Sequence, residues 1–138
     1  MEEVFVDTGA WVALADTADL HHRRAVSLFP QLLRQRGRLV TSNLVVAEAY
    51  YLIRRNLGLP RALSFLESLA ASPRIEKVCS TDEMEREAEK TLRHYSDQDF
   101  SFADAVSFAL MKHRNTRTAF AFDRHFQAAG FEVVPPVL

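Results

Sequence analysis

The chain has 138 residues and a single cysteine, Cys79. No intrachain disulfide can form, and a lone thiol after Lys77-Val78 reads as a filler of the core. Its four glycines, at 9, 37, 58 and 130, make neither the dinucleotide-binding nor the P-loop pattern. No apolar run reaches the roughly 20 residues of a membrane helix. The opening Met1-Glu2-Glu3 enters an apolar stretch at once, without the basic and apolar regions of a secretory signal. The expected location is therefore the cytoplasm, with no membrane contact. An excess of positive charge is missing too, since 17 basic residues face 18 acidic ones for a net charge of −1. Composition alone thus gives no sign of the basic surface that tight nucleic-acid binders carry.

What is present is a globular composition, with 48% hydrophobic residues, ten of them Phe. That excludes a disordered tail and suits one domain over residues 1–138. Arginine makes up 14 of the 17 basic residues, clustered at Arg23-Arg24, at Arg34, Arg36 and Arg38, and at Arg54-Arg55. Arginine suits bidentate phosphate contacts, and it equally suits solvated helix faces.

The pattern along the chain alternates strands with helices. Val4-Phe5-Val6 is an apolar run ending at Asp7-Thr8-Gly9, as a strand buried on both faces would. A short helix is expected over Ala10 to Ala15, then one from Leu20 to Gln35 capped by Asp19. His21-His22 is no metal pair, because adjacent helical residues point to different faces and no third ligand lies at helical spacing. Arg38 to Thr41 is the second strand. Ser42 or Asn43 caps a helix from Leu44 to Leu57 that is apolar nearly all round and so expected to be buried, with Glu48 as its one charge up to Ile53. Pro60 opens a helix whose core stripe is Ala62, Leu63, Phe65, Leu66 and Leu69. Arg74 to Cys79 is a third strand, Asp82 to Arg93 an exposed amphipathic helix, and Phe102 to His113 an apolar helix capped by Ser101 with the lone charge Asp104. A fourth strand, Thr118 to Phe122, stops at Asp123. A short helix from Arg124 to Ala129 and a fifth strand at Glu132-Val133-Val134 complete an α/β chain with a parallel sheet.

Four acids stand out: Asp7 and Asp123 end apolar strands, and Glu48 and Asp104 are lone charges on apolar helices. Taken singly, three of them have a structural explanation: an Asx-turn for Asp7, a Ser101-x-x-Asp104 capping box for Asp104, an ion pair with a nearby arginine for Glu48. Burying an unpaired carboxylate costs several kcal/mol, and like charges about 4 Å apart repel by roughly 1 to 4 kcal/mol. A divalent cation shared by all four removes both problems. The set is all oxygen, with no associated Cys or His, which favours Mg²⁺ or Mn²⁺ over zinc. Such ions serve phosphate chemistry, so the residues point to metal-dependent phosphodiester or phosphomonoester hydrolysis.

These same residues carry a family resemblance. Val6-Asp7-Thr8, Ser42-Asn43 with Ala47-Glu48, Asp99 to Ala105 with Ser107-Phe108, and Ala121 to Phe126 occur in the order and spacing of the PIN domain, and the chain most resembles the single-domain VapC-type ribonucleases of bacterial toxin–antitoxin pairs. The resemblance implies a three-layer sandwich with a central parallel five-stranded sheet flanked by helices, its first strand central. It implies an Mg²⁺ or Mn²⁺ site made by Asp7, Glu48, Asp104 and Asp123, supported by Thr8 and Ser101. It also implies RNA as substrate, a homodimer and a small antitoxin partner. Many relatives have Thr before the third acid, where this chain has Ala103 and loses a hydroxyl. Two other readings remain: a non-catalytic PIN-like module that binds RNA or protein, and an Mg²⁺-dependent phosphatase. The phosphatase normally needs a second Asp where Gly9 stands.

Overall fold

The computed structural model describes residues 2–35 and 37–136; Arg36 of the arginine cluster lies outside them. The elements follow in the order β1 (Glu3–Val6), α1 (Thr8–Ala15), α2 (His22–Gln35), β2 (Arg38–Ser42), α3 (Asn43–Leu57), α4 (Leu59–Ala71), β3 (Ile75–Val78), α5 (Asp82–His94), α6 (Phe102–His113), β4 (Thr118–Phe120), α7 (His125–Ala128) and β5 (Glu132–Val134). The five strands form one parallel sheet in the order β3-β2-β1-β4-β5, so the first strand is central. Val4, Phe5 and Val6 are fully buried, as a strand flanked by two neighbours and covered on both faces requires.

Chain direction places the carboxyl ends of β1 and β4 side by side, with Val6 opposite Phe120 and the Asp7 amide donating to the Phe120 carbonyl at 3.0 Å. This is the edge of a parallel sheet where ligands gather. α6 is buried from Asp104 to Met111 and packs on α5, and Phe108 meets Phe126 edge to face at 5.1 Å. A buried aromatic thus pins the start of α7, and with it the bend that carries Asp123.

Several expectations need correction. β4 ends at Phe120 instead of Phe122, because both of its neighbours end there: β1 gives way to α1 after Val6, and β5 stops at Val134 before Pro135, which has no N–H to extend the ladder. Asp123 therefore sits in a bend three residues past the strand. α3 is not buried all round: Val45, Val46, Ala49 and Ile53 face the core, while Ala47, Glu48 and Tyr51 are exposed. On α4 only Ala62 is fully buried, and Leu63 is 42% exposed. Cys79 is exposed, since β3 is an edge strand that ends at Val78 before the chain turns toward α5. α2 begins at His22, because Asp19 accepts from the His21 amide at 2.8 Å and closes a turn ahead of the helix.

Candidate metal centre

Asp7 is the N-cap residue of α1. Its carbonyl accepts from the Ala10 and Trp11 amides, yet its side chain makes no capping bond. An Asp at this position ordinarily spends its carboxylate on the cap. Here the carboxylate is only 5% exposed and is aimed elsewhere. Burial pushes it well above the usual Asp range, and the nearby carboxylates of Asp123 and Asp104 push it further; a hydrogen bond from the Thr8 amide opposes them.

Asp104 arrives on the first turn of α6. Its Oδ2 accepts from the Ser101 amide and the Ser101 Oγ accepts from the Asp104 amide, both at 3.0 Å, so the expected capping box is formed. The box fixes Asp104 without exhausting it. His125 Nδ1 lies 2.6 Å from Asp104 Oδ2 and 3.8 Å from Asp123 Oδ2. The side chain of Asp123 is 41% exposed, and its Oδ1 accepts from the His125 amide at 3.0 Å. Phe100 packs edge-on to the His125 ring with 5.5 Å between centroids.

Asp7, Asp104 and Asp123 lie close enough at the carboxyl ends of β1 and β4 for the two latter carboxylates to raise the pKa of the first, and Glu48 is exposed on α3. Only Asp7 and Asp104 are buried, so the desolvation argument holds for two of the four. Thr8 is buried beside Asp7 as the first residue of α1, and Ser101 caps α6. The sequence reading gave His125 no role of its own; its place two residues after Asp123 and immediately before the buried anchor Phe126 is what sets the ring beside Asp104.

The centre fits a cation. Asp104, Asp123 and His125 offer ligand atoms that all lie within 4.8 Å of one another, and Asp7 adds a buried carboxyl whose pKa is raised first by burial and then by the nearby Asp123 and Asp104. Nδ1 of His125 is shielded from solvent and pairs with Asp104 Oδ2.

The PIN domain model matches residues 4–132. The chain belongs to the PIN-domain family. Its relatives include the 23S rRNA-specific endonuclease VapC20 of Mycobacterium tuberculosis, 35% identical over 134 residues covering 96% of this chain and 98% of that protein. Ribonuclease VapC26 of the same organism is 32% identical over 126 residues, covering 91% and 90%. The crystal structure of VapC20, described as a sarcin-ricin loop cleaving toxin, matches with a TM-score of 0.86 at 32% identity over 93% of this chain and 95% of that one. VapBC2 from Rickettsia felis, solved on a promoter DNA fragment, shares the fold at a TM-score of 0.71 and 13% identity over 95% of this chain and 96% of that one. In this PIN domain the central first strand and the flanking helices are as the resemblance implied.

Proposed function

We propose that this PIN domain is a metal-dependent endoribonuclease that hydrolyses RNA phosphodiester bonds, and that it acts in the cytoplasm as the toxin of a type II toxin–antitoxin pair. The observation that carries the reading is the convergence of Asp7, Asp104 and Asp123 in a chain similar over almost its whole length to a 23S rRNA-specific endonuclease. Mg²⁺ or Mn²⁺ is the expected ion. Bound by such carboxylates, it would supply a water of lowered pKa and neutralise phosphate oxygens that bare acids repel.

The chain's own residues divide the work. Asp7 holds the deepest ligand position, fixed at the strand end by its backbone. Asp104 is set by the Ser101 box, and Thr8 supports Asp7 through its amide. Asp123 comes from the exposed bend, where it can meet RNA and ion together. Glu48 is assigned to the acidic set on the family resemblance, from the exposed side of α3. Ala103 offers no hydroxyl there, so the fit of Asp104 depends on Ser101 and His125. A homodimer is supported by exposed Tyr51, Leu59 and Leu63 on α3 and α4, an apolar patch on two packed helices. A small antitoxin protein is the expected second partner.

The test is incubation of the purified protein with structured and single-stranded RNAs, ribosomal fragments included, with Mg²⁺, Mn²⁺ or chelator and with Asp104→Asn in parallel. Metal-dependent internal cleavage that vanishes in the variant supports the reading. RNA bound but uncut under every condition would make the chain a non-catalytic binding module.

A further inference from the structure

His21 and Phe122 stack face to face, with 4.4 Å between ring centroids and 4° between planes. His21 stands in the turn before α2, whereas Phe122 follows β4 and immediately precedes Asp123. Phe122 is seated on the fully buried Phe120, with 5.8 Å between their centroids, so His21 is the outer layer of the pair. The backbone of His21 is fixed: its amide donates to Asp19 Oδ1 at 2.8 Å and its carbonyl accepts from the Ala25 amide at 3.0 Å. Its imidazole, unlike that of His22, which bonds the Ala13 carbonyl at 2.7 Å, makes no hydrogen bond among the described residues. Next to it, Leu20 is 90% exposed, an apolar side chain that the fold leaves in water. Arg23 and Arg124 are exposed and hold no acid among the described residues, whereas Arg38 and Arg114, at the amino ends of the strands, are both paired with Glu76.

We propose that the His21–Phe122 pair is a nucleobase platform: an unpaired base of the RNA, next to the phosphate being cut, stacks on the His21 ring with Leu20 at its edge, while Arg23 and Arg124 take flanking phosphates. Flat aromatic faces accept any base, and guanidinium groups suit phosphate oxygens. Phe122 and Asp123 are consecutive, with Cα atoms about 3.8 Å apart, so platform and metal centre fall within reach of neighbouring nucleotides. The proposal rests on the RNA-cleaving reading above and deepens it. It makes the substrate a loop, a bulge or a single strand, since a base within a continuous duplex cannot leave its stack for the ring without unpairing.

The experiment titrates the full chain, in chelator so that RNA stays intact, into hairpin RNAs that carry one 2-aminopurine at each loop position in turn; its fluorescence is quenched when it stacks. His21→Ala, His21→Tyr, Arg23→Ala and Arg124→Ala run alongside, each with a melting curve, and KM for the cut RNA is read in Mg²⁺. The parent is expected to quench the probe at one loop position. His21→Ala is expected to lose the quenching and to bind about tenfold more weakly, with KM rising to match, while His21→Tyr, which keeps a ring, retains both. The two arginine variants should weaken binding and lessen its salt dependence without abolishing the quenching. A folded His21→Ala with parental affinity and KM overturns the proposal and leaves RNA cleavage standing, as does RNA bound by the parent with no probe quenched. Quenching that persists in His21→Ala overturns it as well. A parent chain that neither binds RNA in chelator nor cuts it in Mg²⁺ or Mn²⁺ refutes this proposal together with the reading beneath it.

Discussion

A carboxylate as deep as that of Asp7 is a cost to the fold without a cation. Because burial and its acidic neighbours raise its pKa, the folded chain holds that proton more tightly than the unfolded chain. The contribution of Asp7 to metal-free stability is therefore fully present below the ordinary Asp range, and it declines as pH rises through that range toward the raised pKa of Asp7. Asp7→Asn is expected to flatten this decline. It should raise the melting temperature at neutral pH in chelator by a few degrees, about 1 kcal/mol corresponding to roughly 3–5 °C in a domain of this size; equal melting curves at each pH would contradict the assignment. Cation binding must displace the same proton, so apparent metal affinity is expected to rise with pH until Asp7 is ionised. Proton release, measured calorimetrically in buffers of different ionisation enthalpy, checks this. The acids should also be graded. Asn at 7 or 104 should abolish both tight metal binding and cleavage, whereas Glu48→Gln should lower cleavage while changing metal affinity least.

Two elements owe their placement to local chemistry, and they explain what could be read in advance. The start of α6 was legible because Ser101-x-x-Asp104 is a local signal, and the box forms as expected. Ser101→Ala should cost about 1 kcal/mol of stability and loosen Asp104, so cleavage should fall further than that stability loss explains. β1 was legible because an unbroken apolar run has few alternatives. The exposure of Glu48 and the bend that carries Asp123 were not, since helical spacing says which residues share a face but not which face meets solvent, and a strand's end depends on where its neighbours stop. At the opposite edge of the sheet, Arg114 binds Glu3 through Nε at 2.7 Å and reaches Glu76 at 3.0 Å, while Thr116 donates to Glu3 at 3.0 Å. This ties β1, β3 and the α6–β4 connection together, and the Arg114 hydrogen bond holds the Glu3 carboxyl below its usual range. That contribution is present above the ordinary Glu range and is lost as pH falls through the lowered pKa. Arg114→Ala is expected to destabilise by about 2 kcal/mol, read from denaturant unfolding, with metal affinity unchanged.

Across the whole molecule, order of elements was the most legible property, because alternating strands and helices allow little but a parallel sheet with right-handed crossovers. The sheet then brings residues 7, 104 and 123 together with no local signal linking them. Among the described residues no helix is long and apolar enough to cross a membrane. The exposed patch of Tyr51, Leu59 and Leu63 should make the protein dimeric, and Leu63→Glu is expected to halve the mass measured by light scattering; an unchanged mass would place any interface elsewhere. The most direct test of the central claim is cleavage of RNA by Asp7→Asn in Mg²⁺ and Mn²⁺, beside a melting curve showing that the variant is folded. The account predicts a folded protein, more stable than its parent in chelator, that cuts nothing. A folded Asp7→Asn that cleaves at the parental rate would contradict it.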